Sequence, residues 1–446
     1  MRRCFSVTGL LLLALMTLGT TPLLAEDAAP PKAADNPLNQ ALKSLLSPKA
    51  ATTEAEPAKP ATHHQAETLT LRDDQGNNLQ LRAITLDADG RLLVACGGTR
   101  VFRKESIEGP SVTEITQPGE IRVFDRQLKP AGVWSIDMEP QAIFVSDDGS
   151  IYVAGYETIL KLNENGEVQA KGTLPHVADM EQNIDKVREG LEAQLKSMSE
   201  SIKQYVDQQK EMVAKLKAKP EAERTAIEKS QIQAAEQMVE AYSEYLVTDQ
   251  ASLDKKVLAA LGTKRSIASL AATNDYIFVA TNDTEGHGFC VWRTDRNFKN
   301  GQKVVSGLVG CCGNMHIGAG DGKLYVAENA RHRVCCYDQD GTLVRNWGER
   351  ERNNDEGFAS CCNPMNVYIT KDGQVYTSES NVGRVKRFSA SGEYQELIGS
   401  VDLVPGCKNV SIAVTPDQSR IYMMDMTRSH IIVMDRNEVP RVSAKD

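Results

Sequence analysis

CCGNMHIGAGDGKLYVAENARHRVCCYDQDGTLVRNWG, residues 311–348, and CCNPMNVYITKDGQVYTSESNVGRVKRFSASGEYQELIG, residues 361–399, are two copies of one phrase. Each opens on a cysteine pair and runs through a short apolar segment into an Asp-Gly turn. A Tyr-centred β run follows, then a polar gap, a second β run and another turn. Alternation of apolar and polar residues between Gly and Asp turns marks short antiparallel strands. Working outward, fainter copies occupy 139–172 (EPQAIFVSDDGSIYVAGYETILKLNENGEVQAKG) and 410–436 (VSIAVTPDQSRIYMMDMTRSHIIVMDR). Two more begin at 81 (LRAITLDADGRLLVACGG) and 267 (IASLAATNDYIFVATN). A unit of about 40 residues holding about four strands is the size of one propeller blade.

The segments DGQVYTSESNVGRVKRF and DGKLYVAENARHRVCCY resemble NHL repeats, in which a D-G turn precedes an IYVAD-like strand, an Asn, and then Arg and an aromatic at the end of the next strand. The resemblance extends over residues 70–175 and 263–437 and implies an all-β, six-bladed, NHL-like β-propeller. It speaks to fold and hardly to chemistry, because one fold hosts many functions. Blades 1–2 are expected in 67–175 and blades 3–6 in 263–446.

Between them, residues 176–262 change period. Met180, Ile184, Val187, Leu191, Leu195, Met198, Ile202 and Tyr205 recur every three or four residues, the spacing of a coiled-coil seam. Pro220 suits the first position of a second helix, on which Ile232, Ala235, Val239, Tyr242 and Leu246 repeat the spacing. A third helix is expected to end at Gly262. This inserted helical hairpin is either a self-packed decoration or an arm for docking or dimerisation.

The chain has 446 residues, 41% of them hydrophobic and 25% charged, enough to bury a sizeable core. Its net charge of −9 and the lack of any basic stripe argue against nucleic acid as a partner. One apolar run stands out: Arg2 and Arg3, then VTGLLLLALMTLG and PLLAED. That order is expected of a signal peptide over residues 1–25, cut after Ala25, leaving no integral membrane domain and a periplasmic or extracellular protein. The opening RRCF also partly matches a twin-arginine signal. Residues 26–66, rich in Ala and Pro, are expected to be a disordered linker that includes His63 and His64.

Of ten cysteines, all but Cys4 lie in the repeats. Cys311–Cys312 and Cys361–Cys362 precede the innermost strand of consecutive blades, and Cys407 takes the place of the second cysteine in the next. Cys96, Cys290, Cys335 and Cys336 fall near the junction of second and third strands, so all nine are expected toward one end of the propeller. Four chemistries remain open for them. They are inert buried thiols, which suits Cys96 and Cys290 best; long-range disulfides; strained vicinal disulfides; or a thiolate-ligated metal or iron–sulfur cluster held by Cys311, Cys312, Cys361, Cys362 and Cys407 with one or both of Cys335 and Cys336.

Enzyme readings have less behind them. NHL-like amidating lyases use several channel histidines, and only His316 sits on an inner strand. Gluconolactonase-type propellers hold calcium at the channel mouth, where Asn366, Glu328, Glu379 and Asp425 are candidates, although an acid there is also ordinary turn chemistry. The sequence therefore points to a binding or scaffold propeller with a cysteine-rich face that carries a metal or iron–sulfur centre for electron transfer. The alternatives are a cofactor-free, disulfide-stabilised propeller for a protein or small-molecule ligand, and a metal-dependent hydrolase or lyase.

Overall fold

The computed structural model describes residues 60–438 except 107–108, 352–353 and 360–361, and no side chains within 100–113. The expected signal peptide, all of the expected linker before residue 60, and Cys361 lie outside the described residues.

Six antiparallel four-stranded sheets make a β-propeller. Strand β1 (His63–Thr70) comes first in the chain. Blade 1 follows as β2 (Leu81–Leu86), β3 (Leu92–Ser106), β4 (Gly109–Phe124) and β5 (Pro130–Ser135), and blade 2 as β6 (Ala142–Val145), β7 (Ile151–Gly155), β8 (Thr158–Leu162) and β9 (Val168–Thr173). Blade 3 is β10 (Ile267–Ala272), β11 (Tyr276–Asn282), β12 (Phe289–Asp295) and β13 (Gln302–Leu308). Blade 4 is β14 (His316–Gly320), β15 (Lys323–Glu328), β16 (Arg333–Tyr337) and β17 (Leu343–Trp347). Blade 5 is β18 (Asn366–Ile369), β19 (Val375–Glu379), β20 (Arg384–Phe388) and β21 (Tyr394–Ser400). Blade 6 is β22 (Ile412–Val414), β23 (Arg420–Asp425) and β24 (His430–Arg436), completed on its outer edge by β1.

Each sequence copy is thus one blade, with one correction at the start. His63–Gln65, expected in the linker, are strand residues, and His63 pairs with Arg436 to close the ring. The first expected propeller segment accordingly begins with a strand of blade 6.

The core is a ring of apolar seams between blades. Ile317 and Val326 of blade 4 meet Ala271 and Phe278 of blade 3 on one side, while Tyr325 and Val334 meet Val367 and Phe388 of blade 5 on the other. The tyrosine of the IYV run fills these seams: Tyr152, Tyr325, Tyr376 and Tyr422 are all buried. Burying the apolar area of such side chains is worth about 1.5–3 kcal/mol each. The Asp-Gly turns make the tight corners, as where Gly373 at φ 78° donates its N–H to the Thr370 carbonyl.

The insertion folds as α1 (Pro175–Gln182), α2 (Ile184–Lys217), α3 (Ala226–Ser243) and α4 (Gln250–Arg265). Three expectations change. The first long helix breaks at Asn183, whose φ of −115° leaves the helical region. The second begins at Ala226 rather than Pro220, because Thr225 and Glu228 form a reciprocal capping box. The third passes through Gly262 to Arg265. At 34 residues α2 is about 50 Å long. Its seam is shared: Val187 and Leu191 pack on Leu253, Val257 and Leu261 of α4, while farther along Tyr205 meets Tyr242 of α3 edge-on at 5.4 Å. The hairpin therefore packs largely on itself. Its base is tied to blade 3 by the Lys186–Glu285 pair at 2.8 Å and by Lys264 Nζ on the carbonyls of Asp283 and Gly286. Among the described residues no helix is long and apolar enough to cross a membrane.

His176, at this base, is buried and donates Nε2–H to the Arg265 carbonyl at 3.0 Å. Burial lowers its pKa to about 4. The unfolded chain therefore takes up this proton first as pH falls, so the stabilisation from a neutral His176 is complete above about pH 6.5 and is lost toward pH 4. Urea unfolding at pH 7 and pH 5 is expected to show the wild type losing about 2 kcal/mol more than His176→Gln.

Candidate functional site

Antiparallel order within each blade places two kinds of connection at the same end of the propeller: those between second and third strands, and those between a fourth strand and the next first strand. The long β3–β4 hairpin, the helical insertion and the cysteine loops all leave from this end. Among the described residues, the strand connections at the other end are tight turns.

Three of these loops converge. Cys311 and Cys312 lie between β13 and β14, Cys362 between β17 and β18, and Cys407 between β21 and β22. The thiol of Cys362 donates to Cys311 Sγ at 2.7 Å. Cys311 and Cys312 Sγ stand 3.6 Å apart, Cys312 and Cys362 3.7 Å, and Cys362 and Cys407 3.1 Å. Sulfurs of Cys311, Cys312 and Cys362 lie within 4.8 Å of one another, a spacing that can hold a metal ion.

The backbone is bent to bring this about. Cys312 has φ 54° and Cys362 φ 87°, left-handed values that cost a side-chain-bearing residue free energy and tend to gather at functional sites. Gly313, at φ 73°, continues the left-handed turn, which closes through Asn314 N–H on the Cys311 carbonyl at 3.1 Å. Two buried asparagines hold the loops. Asn329 Oδ1 accepts from Cys311 N–H at 2.7 Å, and Asn363 bridges Ser380 N–H and the Ala359 carbonyl.

Glu328, Glu379 and Asp425 turn out to anchor these same loops. Glu328 Oε1 accepts from Val309 N–H at 3.0 Å, Glu379 Oε2 from Ala359 N–H at 3.0 Å, and Asp425 Oδ2 from Val404 N–H at 3.1 Å. All three are buried and paired with cations: Glu328 with Arg331 and Arg333, Glu379 with Arg384 and Lys386, Asp425 with Lys408. Against the burial that opposes ionisation, the Val404 and Thr427 N–H groups and Lys408 hold the Asp425 carboxyl below its ordinary range. Of the two readings the sequence left for these acids, calcium ligation and turn chemistry, their contacts here are those of loop anchors.

The remaining candidates lie elsewhere. Cys335 and Cys336 are buried on opposite faces of β16, in the seams toward blades 3 and 5 respectively, so neither joins the cluster. Cys96 and Cys290 are buried in sheets, where burial raises their pKa values. His316 lines a central channel cavity of about 380 Å³ walled by the six inner strands. Its Nδ1 accepts from Val367 N–H at 3.4 Å, and burial lowers its pKa to about 4, so it is neutral at ordinary pH. Asn366 is buried with both amide atoms unpartnered among the described residues. Asn329 and Asn363 were not singled out from the sequence; the recurrence of Asn after the second strand and after Cys-Cys was their only trace.

Within the cluster the thiols are unequal. The hydrogen bond from Cys362 outweighs burial and lowers Cys311 to about 6. Burial and the adjacent Cys311 push Cys312 up to about 12, and Cys362 is also raised, chiefly by its bond to Cys311.

No known family profile matches the chain, and no curated protein matches it. Solved structures similar to it include virginiamycin B lyase from Staphylococcus aureus, with 9% identity and a TM-score of 0.40 over 83% of this chain and 99% of that one. A gluconolactonase from Xanthomonas campestris has 11% identity and a TM-score of 0.38, covering 86% of this chain and 99% of its own. The WD40 domain of Neurospora crassa Pan2 has 11% identity and a TM-score of 0.38, covering 86% and 98%. The architecture rests on the six sheets themselves, and no activity is carried across.

Lys386 is fully buried, its ammonium 2.9 Å from Glu379 Oε1. Glu379→Leu is expected to cost about 3–5 kcal/mol in chemical unfolding by stranding that charge, and the double variant with Lys386→Met to recover most of the loss.

Proposed function

We propose that the protein is an exported, NHL-type propeller that serves as a metal-binding scaffold, holding one soft ion through Cys311, Cys312, Cys362 and Cys407. The carrying observation is the convergence of three mutually close thiols from two blades, with a fourth from a third blade 3.1 Å from Cys362. Around a tetrahedral ion with metal–sulfur bonds of about 2.3 Å, ligand sulfurs stand about 3.8 Å apart. The 3.6 Å and 3.7 Å separations agree with that spacing, whereas Cys362 stands closer, 2.7 Å from Cys311 and 3.1 Å from Cys407, and has to move outward for the four sulfurs to share an ion. An iron–sulfur cluster places iron and sulfide between its thiolates and spreads them farther apart, so a single Zn(II) or Cu(I) is favoured over a cluster and over electron transfer.

Export is consistent with this chemistry. Free thiols so close together would oxidise in a compartment outside the cytosol, and a bound ion keeps them reduced and deprotonated. Three buried carboxylates and two buried asparagines hold the backbone of the loops that carry the sulfurs, which favours a fixed arrangement of ligands.

Metal analysis and absorption spectroscopy of protein purified without air test the reading. One zinc or copper per chain and no absorption near 400 nm are expected, with Cys312→Ser lowering affinity at least about 100-fold. Iron with broad visible absorption would return the cluster to first place. Metal-free protein whose four thiols resist alkylation until reduced would make the site a disulfide staple between blades.

A further inference from the structure

The four sulfurs differ in their access to solvent. Cys362 is buried, Cys311 and Cys312 are half-buried, and Cys407 is exposed. The difference follows from their supports. Cys311 and Cys312 sit in a closed turn clamped by Asn329, and Cys362 adjoins the buried Asn363. Cys407 lies in the long irregular connection between Ser400 and Ile412, next to Gly406, around which a side chain would meet nothing within 4 Å. Four protein thiolates close the coordination of an ion, so exchange at such a site requires one protein sulfur to leave, and the exposed one is the one an incoming ligand can reach.

We infer that the site, if it binds a soft ion as proposed above, is an exchange site: Cys311, Cys312 and Cys362 retain the ion, and Cys407 is the ligand displaced by the thiolate of an incoming carrier. The step is a ligand substitution without redox change. A metal–sulfur bond forms to the incoming thiol, the bond to Cys407 breaks, and the proton of the incoming thiol passes to the Cys407 thiolate. The chemistry of the partner follows: a thiol-bearing metal carrier, small molecule or protein, able to approach this end of the propeller.

The test uses the full chain loaded with Zn(II), glutathione as the thiol, and 4-(2-pyridylazo)resorcinol to report released zinc. Release is expected to rise in proportion to glutathione, by about ten-fold or more at millimolar thiol. Mass spectrometry after iodoacetamide treatment is expected to find Cys407 modified while Cys311, Cys312 and Cys362 are protected. Cys407→Ser should still bind one zinc, with affinity reduced by about ten-fold, against at least about 100-fold for Cys312→Ser. Release independent of glutathione, or Cys407 protected as fully as the other three, overturns exchange and leaves a closed structural site. If the wild type binds no zinc and shows no protection, the metal site itself falls, and exchange with it.

Discussion

Each blade is apolar on both faces, and that single constraint organises the molecule. Tyr325 and Cys336 face one neighbour from the same sheet that sends Val326 and Cys335 toward the other. No blade can cover both faces alone, so the ring has to close or leave a seam open to water. Closure is made by β1, which supplies the fourth strand that blade 6 lacks. Its contribution is mostly backbone hydrogen bonding. Apart from His63 the strand is largely exposed, and it is held by its register from His63–Arg436 to Thr70–His430.

That explains which parts of the fold could be read in advance. The blades were legible because Asp-Gly turns and the buried tyrosines recur in phase, and each copy begins within a few residues of a first strand. β1 left no such sign: HHQAETLT has no apolar alternation, since an outer strand buries almost nothing. The insertion was recognisable from its period, but its breaks were not. Asn183 interrupts a continuous seam, and the capping box at Thr225 outcompetes a proline start.

The site divides along the same line. Cys407, in register with the second cysteine of the pairs, lies 3.1 Å from Cys362, while Cys335 and Cys336, adjacent in sequence, are parted by the alternation of β16 into different seams. The carboxylates could be located but not interpreted. Glu328, Glu379 and Asp425 reach back 19, 20 and 21 residues to the connection that enters their own blade. A repeat shows that a position recurs, not which backbone amide it will meet. The three acids with their cations form a rotationally repeated bracket, and the cysteine turns are mounted on it.

The contrast between the two ends of the propeller bears on how such a chain can be rebuilt. At the end of tight turns, connections such as 146–150 and 370–374 are short, solvent-facing and remote from the thiols. Opening the polypeptide there and linking the start of β1 to the end of β24, which pair directly, would place new termini away from the loops that hold the sulfurs. A permuted chain would shift the closing strand to a different blade, separating the role of ring closure from that of holding Cys407 in blade 6.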